Sequence, residues 1–217
     1  MSQPRPDRRR QRTRAALLKA GQTLFAERSV DGVSIDEIVQ AADVAKGSFY
    51  NHFADKDALA LALADQARKS AETTVAIAGE GVADPAQRVA RALCLFIRNA
   101  ADYPEPARMM LRLFHGAAVP DAPMNAGVRA DIKQGLGTGR FQGLGLEAGI
   151  LLAVGVVQIG VARTLERGTA DGARPLARDL AEGLLRGLGV AAGEAHDLAE
   201  AAVADIFKPA RTARPEA

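Results

Sequence analysis

Apolar positions recur at intervals of three and four through most of the chain, the spacing that lines one face of an α-helix. Ala16, Leu17, Ala20, Leu24 and Phe25 form the first such stripe and predict a helix over 8–28. Residues 29–32, ending in Gly32, interrupt it. A sharper signal opens the next helix, predicted over 35–41. Ser34 followed by Glu37 is an S-x-x-E capping box, and Val33 with Ile38 can close a hydrophobic staple across the same end. The pattern pauses at 42–44 and resumes as a short helix over 46–53. It starts again after Asp55, a predicted N-cap for a long helix over 56–78. Further helices are predicted over 85–99, 107–115, 124–136, 146–167, 175–188 and 194–207, with breaks rich in glycine and proline between several of them. No alternating run bounded by turn residues is long enough for a strand. The expected fold class is therefore all-α. Residues 1–7, with Pro4 and Pro6, and the tail to 217 are expected to be loose.

Composition agrees with a soluble helical protein: 48% hydrophobic, 25% charged and only 4% aromatic, with no tryptophan. At 217 residues the chain suits one or two domains with a core that needs no covalent staples. The single cysteine, Cys94, excludes an intramolecular disulfide and fits a cytoplasmic protein. With three isolated histidines it offers no metal-ligand spacing, and no cofactor is implied. The apolar stretch after the N-terminal arginines stops at Lys19, too short for a signal sequence. The longest apolar run, 144–162, has the length of a membrane span but carries Glu147, Gln158 and several glycines. It reads better as a buried or interface helix. The glycine run at 135–139 lacks the preceding strand that a dinucleotide loop needs. No nucleophile elbow or phosphate loop points to an enzyme.

Charge is distributed unevenly. Residues 1–19 hold seven basic side chains against the single acid Asp7, whereas the whole chain is only +2. Such asymmetry suits a basic arm for an anionic polymer. Lys56 is expected directly inside a helix N-terminus, and Arg8, Arg9 and Arg10 at another. The helix dipole disfavours cations there. A phosphate bound at those ends would reverse the sign of the interaction.

Two short helices joined by a few residues, behind a longer one, describe a helix-turn-helix over about 34–53. The second would be its recognition helix. Phe49 and Phe53 share one face and can be core. Lys46, Ser48, Tyr50, Asn51 and His52 are left on the others, nearly all able to hydrogen-bond a phosphate or a base edge. Gly47 would let the backbone approach DNA closely.

These residues carry a resemblance. Residues 12–63, about a quarter of the chain, resemble the DNA-binding domain of TetR-family transcriptional regulators. The matching positions are Ala20, Leu24 and Phe25; Ser34, Ile35, Ile38, Ala41 and Ala42; and Val44, Gly47, Phe49, Tyr50, His52, Phe53, Lys56 and Leu59. The F-Y-x-H-F-x-x-K pattern makes this more specific than a generic helix-turn-helix. The resemblance implies DNA-contacting positions at Lys46, Ser48, Tyr50, Asn51 and His52, a phosphate contact at Lys56 and the helix N-cap at Ser34. The chain departs from the family pattern at three points. Asp43 stands where glycine is usual, Ala45 where Ser or Thr often caps, and Ser29 where glycine is frequent. Asp43 tolerates left-handed backbone better than most residues and is expected to supply the missing cap.

The resemblance further implies two domains: an N-terminal arm and helix-turn-helix over 1–56, and a helical ligand-sensing and dimerisation domain over 57–217. Gly145, Gly149, Gly155 and Gly160 would permit close helix approach in a homodimer. Apolar walls for a small-molecule effector are sought among Leu93, Phe96, Ile97, Tyr103, Met110, Phe114, His115, Phe141 and Gln158. The expected partners are a double-stranded DNA operator, a second copy of the chain and that effector, with no membrane. The leading expectation is a homodimeric repressor released from its operator by the effector. The alternative is a ligand-independent DNA-binding activator or DNA organiser.

Overall fold

The computed structural model describes residues 5–113, 125–168 and 172–208. Among them are ten helices and no strand: α1 (Arg5–Glu27), α2 (Ile35–Ala41), α3 (Lys46–Tyr50), α4 (Lys56–Gly79), α5 (Pro85–Asp102), α6 (Pro104–Leu113), α7 (Ala126–Gly137), α8 (Leu146–Arg167), α9 (Ala173–Gly187) and α10 (Ala192–Ile206). The all-α expectation holds. α2 and α8 begin and end where the sequence pattern places them.

Most of the other ends shift by one to three residues, and three of the shifts are instructive. α1 starts at Arg5, so helix replaces part of the segment expected to be loose. Arg9 and Arg10 then lie beyond the first turn, and Arg8 at its end. The misplaced-charge argument therefore does not apply to Arg9 and Arg10. α6 starts at Pro104, three residues earlier than expected, leaving Tyr103 alone between α5 and α6. Pro104 and Pro106 both fall in the first turn, where a backbone N–H has no intrahelical acceptor to lose. α3 closes at Tyr50, although Phe53 still donates its N–H to the Phe49 carbonyl at 2.9 Å.

The chain divides into two compact units. The first contains α1–α3, residues 56–71 of α4, and α6. Its core is built from Leu17, Phe25, Val33, Ile38, Phe49, Phe53, Leu59 and Leu63, all nearly inaccessible, with Met109 of α6 added against α1. The second contains the remainder of α4 with α5 and α7–α10. There α5 packs on α7, α8, α9 and α10. Alanines dominate the contacts: Ala173, Ala177 and Ala181 on α9, and Ala195, Ala199 and Ala202 on α10, are all buried. Small residues at three- and four-residue intervals let helix axes approach closely.

Arg88 ties the second unit together at one end. It donates to Asp131 at 2.7 Å and Gln134 at 2.6 Å on α7, and to the carbonyls of Val82 and Ala83 at 3.1 and 2.7 Å. Burial pushes the Asp131 carboxyl up, and its bond to Arg88 opposes that shift. The apolar helix α8 meets the length and composition of a membrane span, but one-third of its most apolar stretch is buried inside this unit. Gly160 is part of that packing. A Cβ there would stand 2.9 Å from Leu180 and 3.1 Å from Ile97.

Candidate nucleic-acid interface

The interface is built from the entry to α2. The Ser34 side chain accepts the Glu37 N–H at 3.2 Å, and Glu37 accepts the Ser34 N–H at 2.9 Å, completing the capping box. The Ser34 hydroxyl also donates to Glu37 at 2.8 Å. Arg28 adds an ion pair to the other Glu37 oxygen at 2.8 Å. The Ser34 N–H, its hydroxyl and Arg28 together hold the Glu37 carboxyl at about 2. Val33 and Ile38 are buried at the staple positions.

The turn between α2 and α3 rests on the residue that departs from the family pattern. Asp43 has φ +52°, the only left-handed non-glycine among the described residues. Its N–H reaches the Gln40 carbonyl at 3.2 Å, and the Val44 N–H reaches Val39 at 3.0 Å. This is a Schellman ending with aspartate where glycine is usual. The expectation that Asp43 also caps α3 is not met. The N-cap of α3 is Ala45, with no side-chain hydrogen bond. Asp43 is committed to ending α2. Ser29 has its own local use, since its hydroxyl accepts the Gly32 N–H at 3.3 Å.

α3 has two unlike faces. Phe49 is fully buried and Phe53 nearly so, with ring centroids 5.8 Å apart. Tyr50 is 54% exposed and meets Phe49 only edge-on. Lys46, Gly47 and Asn51 are exposed, and Ser48 and His52 are half-buried. A Cβ at Gly47 would touch nothing within 4 Å. The protein itself therefore gives no steric reason for glycine there. Partial burial, then the nearby charges of Arg10 and Arg14, depress the His52 pKa. Arg14 stacks over the Phe53 ring at 5.3 Å, so the basic part of α1 reaches the end of α3.

Carboxylates accompany the lysines, a feature the sequence reading missed. Lys46 pairs with Asp36 at 2.8 Å. Lys56 donates to the Asp31 backbone carbonyl at 3.2 Å, with the Asp31 carboxylate 3.7 Å away. Lys56 thus has a structural reason to sit in the first turn of α4, in addition to any phosphate. Asp55 caps that helix as expected, accepting the Ala58 N–H at 2.7 Å. No short-range spacing announces the Lys56–Asp31 pair, which is 25 residues apart in sequence.

Residues 17–63 match the model for bacterial regulatory proteins of the tetR family, and residues 84–201 match the tetracyclin repressor-like C-terminal domain. The chain belongs to the TetR family. Proteins of this family are DNA-binding transcription factors, not enzymes. Over 95 residues the chain is 30% identical to the HTH-type transcriptional regulator EthR of Mycolicibacterium smegmatis. That match covers 43% of this chain and 44% of EthR, so it spans less than half of this curated relative. A crystal structure of RolR in complex with resorcinol aligns with TM-score 0.55 at 28% identity, over 89% of this chain and 95% of RolR. A γ-butyrolactone receptor, described as ArpA-like, shares the fold with TM-score 0.69 at 21% identity, over 91% and 99% of the two chains.

The nine residues considered for an effector site are scattered in this TetR-family chain. Leu93, Ile97 and Phe141 are fully buried core of the second unit, and Phe96 and Gln158 are half-buried there. Tyr103, 63% exposed, and half-buried Met110 belong to the first unit. Phe114 and His115 lie outside the described residues. Phe141 sits over Gly135, so close that a Cβ there would collide with its ring. A groove of about 610 Å³ does open in the second unit, lined by Asp84, Gln134, Thr138, Arg140, Gln142 and Glu194 among others. Its lining mixes polar and apolar residues and contains none of the nine. Arg140 crosses it, paired with Asp84 at 2.9 Å and Glu194 at 2.8 Å.

Proposed function

We propose that this chain is a sequence-specific DNA-binding transcriptional regulator, acting as a homodimeric repressor that leaves its operator when a small-molecule effector binds. The observation that carries DNA binding is the outward face of α3. It presents Lys46, Ser48, Tyr50, Asn51 and His52 around a glycine with open space above it, on a helix anchored from behind by Phe49. Ser34 and Lys56 flank that face as backbone-contacting groups. Residues 1–56 serve as the DNA-binding domain and 57–217 as the sensing and dimerisation domain, working on DNA in the cytoplasm.

Homodimerisation is supported by α8. Leu151 and Ile159 are exposed, with Gly155 between them facing open space. The three lie at four-residue intervals and form an apolar stripe that a second copy can cover. Gly149 and Gly160, by contrast, are already occupied by contacts within the fold. A dimer would offer two recognition helices to half-sites about a turn apart. The effector is supported by likeness to RolR, whose crystal structure holds resorcinol. A small, weakly polar compound binding one dimer geometry better than the other would shift the population away from the DNA-competent form.

A gel shift against the DNA flanking its own gene tests the reading. Retardation at low salt is expected, reversed by compounds that raise the melting temperature in a thermal-shift screen. No retardation by the wild type at low salt would overturn it.

A further inference from the structure

Asp36 and Lys46 form an exposed ion pair on the face given above to DNA. Lys46 is the first residue of α3, and Asp36 lies in the first turn of α2. Their side chains meet at 2.8 Å while Lys46 remains 54% exposed and Asp36 72%. The pair cancels the positive charge at the leading end of α3. Lys56 is arranged differently: its short bond, 3.2 Å, goes to the Asp31 backbone carbonyl, and the Asp31 carboxylate stands farther off, at 3.7 Å. Of the two flanking lysines, Lys46 is thus the one held at hydrogen-bond distance by a carboxylate.

Binding to arbitrary duplex is almost wholly electrostatic and scales with the number of phosphates neutralised. A lysine held by a carboxylate adds nothing to that count, and the exposed carboxylate repels the backbone. Exposed ion pairs are weak, worth a few-fold at most in an equilibrium constant. A well-placed phosphate or guanine edge can therefore displace Asp36, but only where α3 is seated closely enough to present one. The cost of breaking the pair is the same on every sequence. The compensating contact exists only on the matching one.

We propose that Asp36 determines specificity by acting through Lys46, holding the lysine away from non-matching DNA and releasing it on the operator. The inference rests on the DNA-binding reading above. It concerns discrimination rather than binding itself, in the way that a built-in repulsive element discriminates between partners.

The test titrates wild type, Asp36→Asn and Lys46→Gln by fluorescence anisotropy at 50–200 mM salt. Two labelled duplexes serve as probes: one of random sequence and one selected by the wild type from a randomised pool. Asp36→Asn is expected to tighten binding to the random duplex by about threefold to tenfold and to steepen its salt slope by about 0.9, as one more released counterion requires. Binding to the selected duplex should tighten by less, about twofold to threefold, because only the cost of breaking the exposed pair is relieved there, so the specificity ratio falls. Lys46→Gln should weaken the selected duplex by about tenfold, the loss of one good base or phosphate contact, and weaken the random duplex by much less. A purely structural tie between α2 and α3 would shift the melting temperature of both variants without altering the ratio, and that result overturns the proposal. Equal changes on both duplexes overturn it as well. Wild type that binds neither duplex overturns the DNA-binding reading itself, and this inference with it.

Discussion

The first unit surrounds α2 and α3 with large side chains. Phe25, Ile38, Phe49, Leu59 and Leu63 are each essentially inaccessible. The second unit joins α5, α9 and α10 largely through alanines. The two constructions leave different surfaces. A short helix anchored by two phenylalanines can devote its remaining faces to polar groups, because one turn of aromatic contact holds it. Long helices in close approach share their stability over many small contacts. Exposed polar groups are thus gathered in residues 46–52 of the first unit, around a buried Phe49.

Substitutions at adjacent residues of α3 break this comparison most forcefully. Phe49→Ala should lose about 3–5 kcal/mol of stability, as expected for a fully buried aromatic, read by urea unfolding. Tyr50→Ala, one residue on, should stay within about 0.5 kcal/mol of wild type.

Next come the glycines. Gly135→Ala places a Cβ against the Phe141 ring and should cost about 1–3 kcal/mol through overpacking. DNA affinity of the folded variant should be unaffected. Gly47→Ala should instead stabilise by about 0.5–1 kcal/mol, the helix-interior preference for alanine, since its Cβ meets nothing, and should weaken DNA binding. Thermal melts and anisotropy on the same samples separate the two effects. A Gly47→Ala protein that binds DNA normally would show that this face is only solvated.

A smaller effect is expected at the turn. Asp43 occupies left-handed backbone, so Asp43→Val should destabilise by about 1–2 kcal/mol and Asp43→Gly should be neutral or slightly stabilising. The smallest effect concerns acid. The folded state holds the Glu37 carboxyl at about 2, against 4.5 unperturbed. The unfolded chain therefore binds the proton more readily. The stability contributed by this group is present above about pH 4.5 and is lost as pH falls towards 2. Glu37→Gln should flatten the acid limb of the stability profile over that window.

The same contrast explains what was legible in the chain beforehand. Ser34, Glu37, Val33 and Ile38 are close neighbours in sequence, and their roles follow from spacing alone. Phe49 and Phe53 declare one face of α3 in the same way, and Tyr50 is left outside. Asp36 and Lys46 were hidden because the pair crosses the turn, and its geometry depends on the left-handed Asp43 between them. In the second unit, Phe96, Ile97 and Phe141 have the composition of pocket walls and of core alike. Only three-dimensional packing places Ile97 against Gly160 and Phe141 against Gly135. The Arg88 network joins positions more than forty residues apart, beyond any local pattern.

The outward face of α3 as a DNA surface is tested most directly by the affinity of Tyr50→Ala for the selected duplex, measured beside its melting temperature. The expected result is binding weakened by about tenfold or more with the melting temperature within about 2 °C of wild type. Unchanged affinity in a fully folded Tyr50→Ala protein would contradict it.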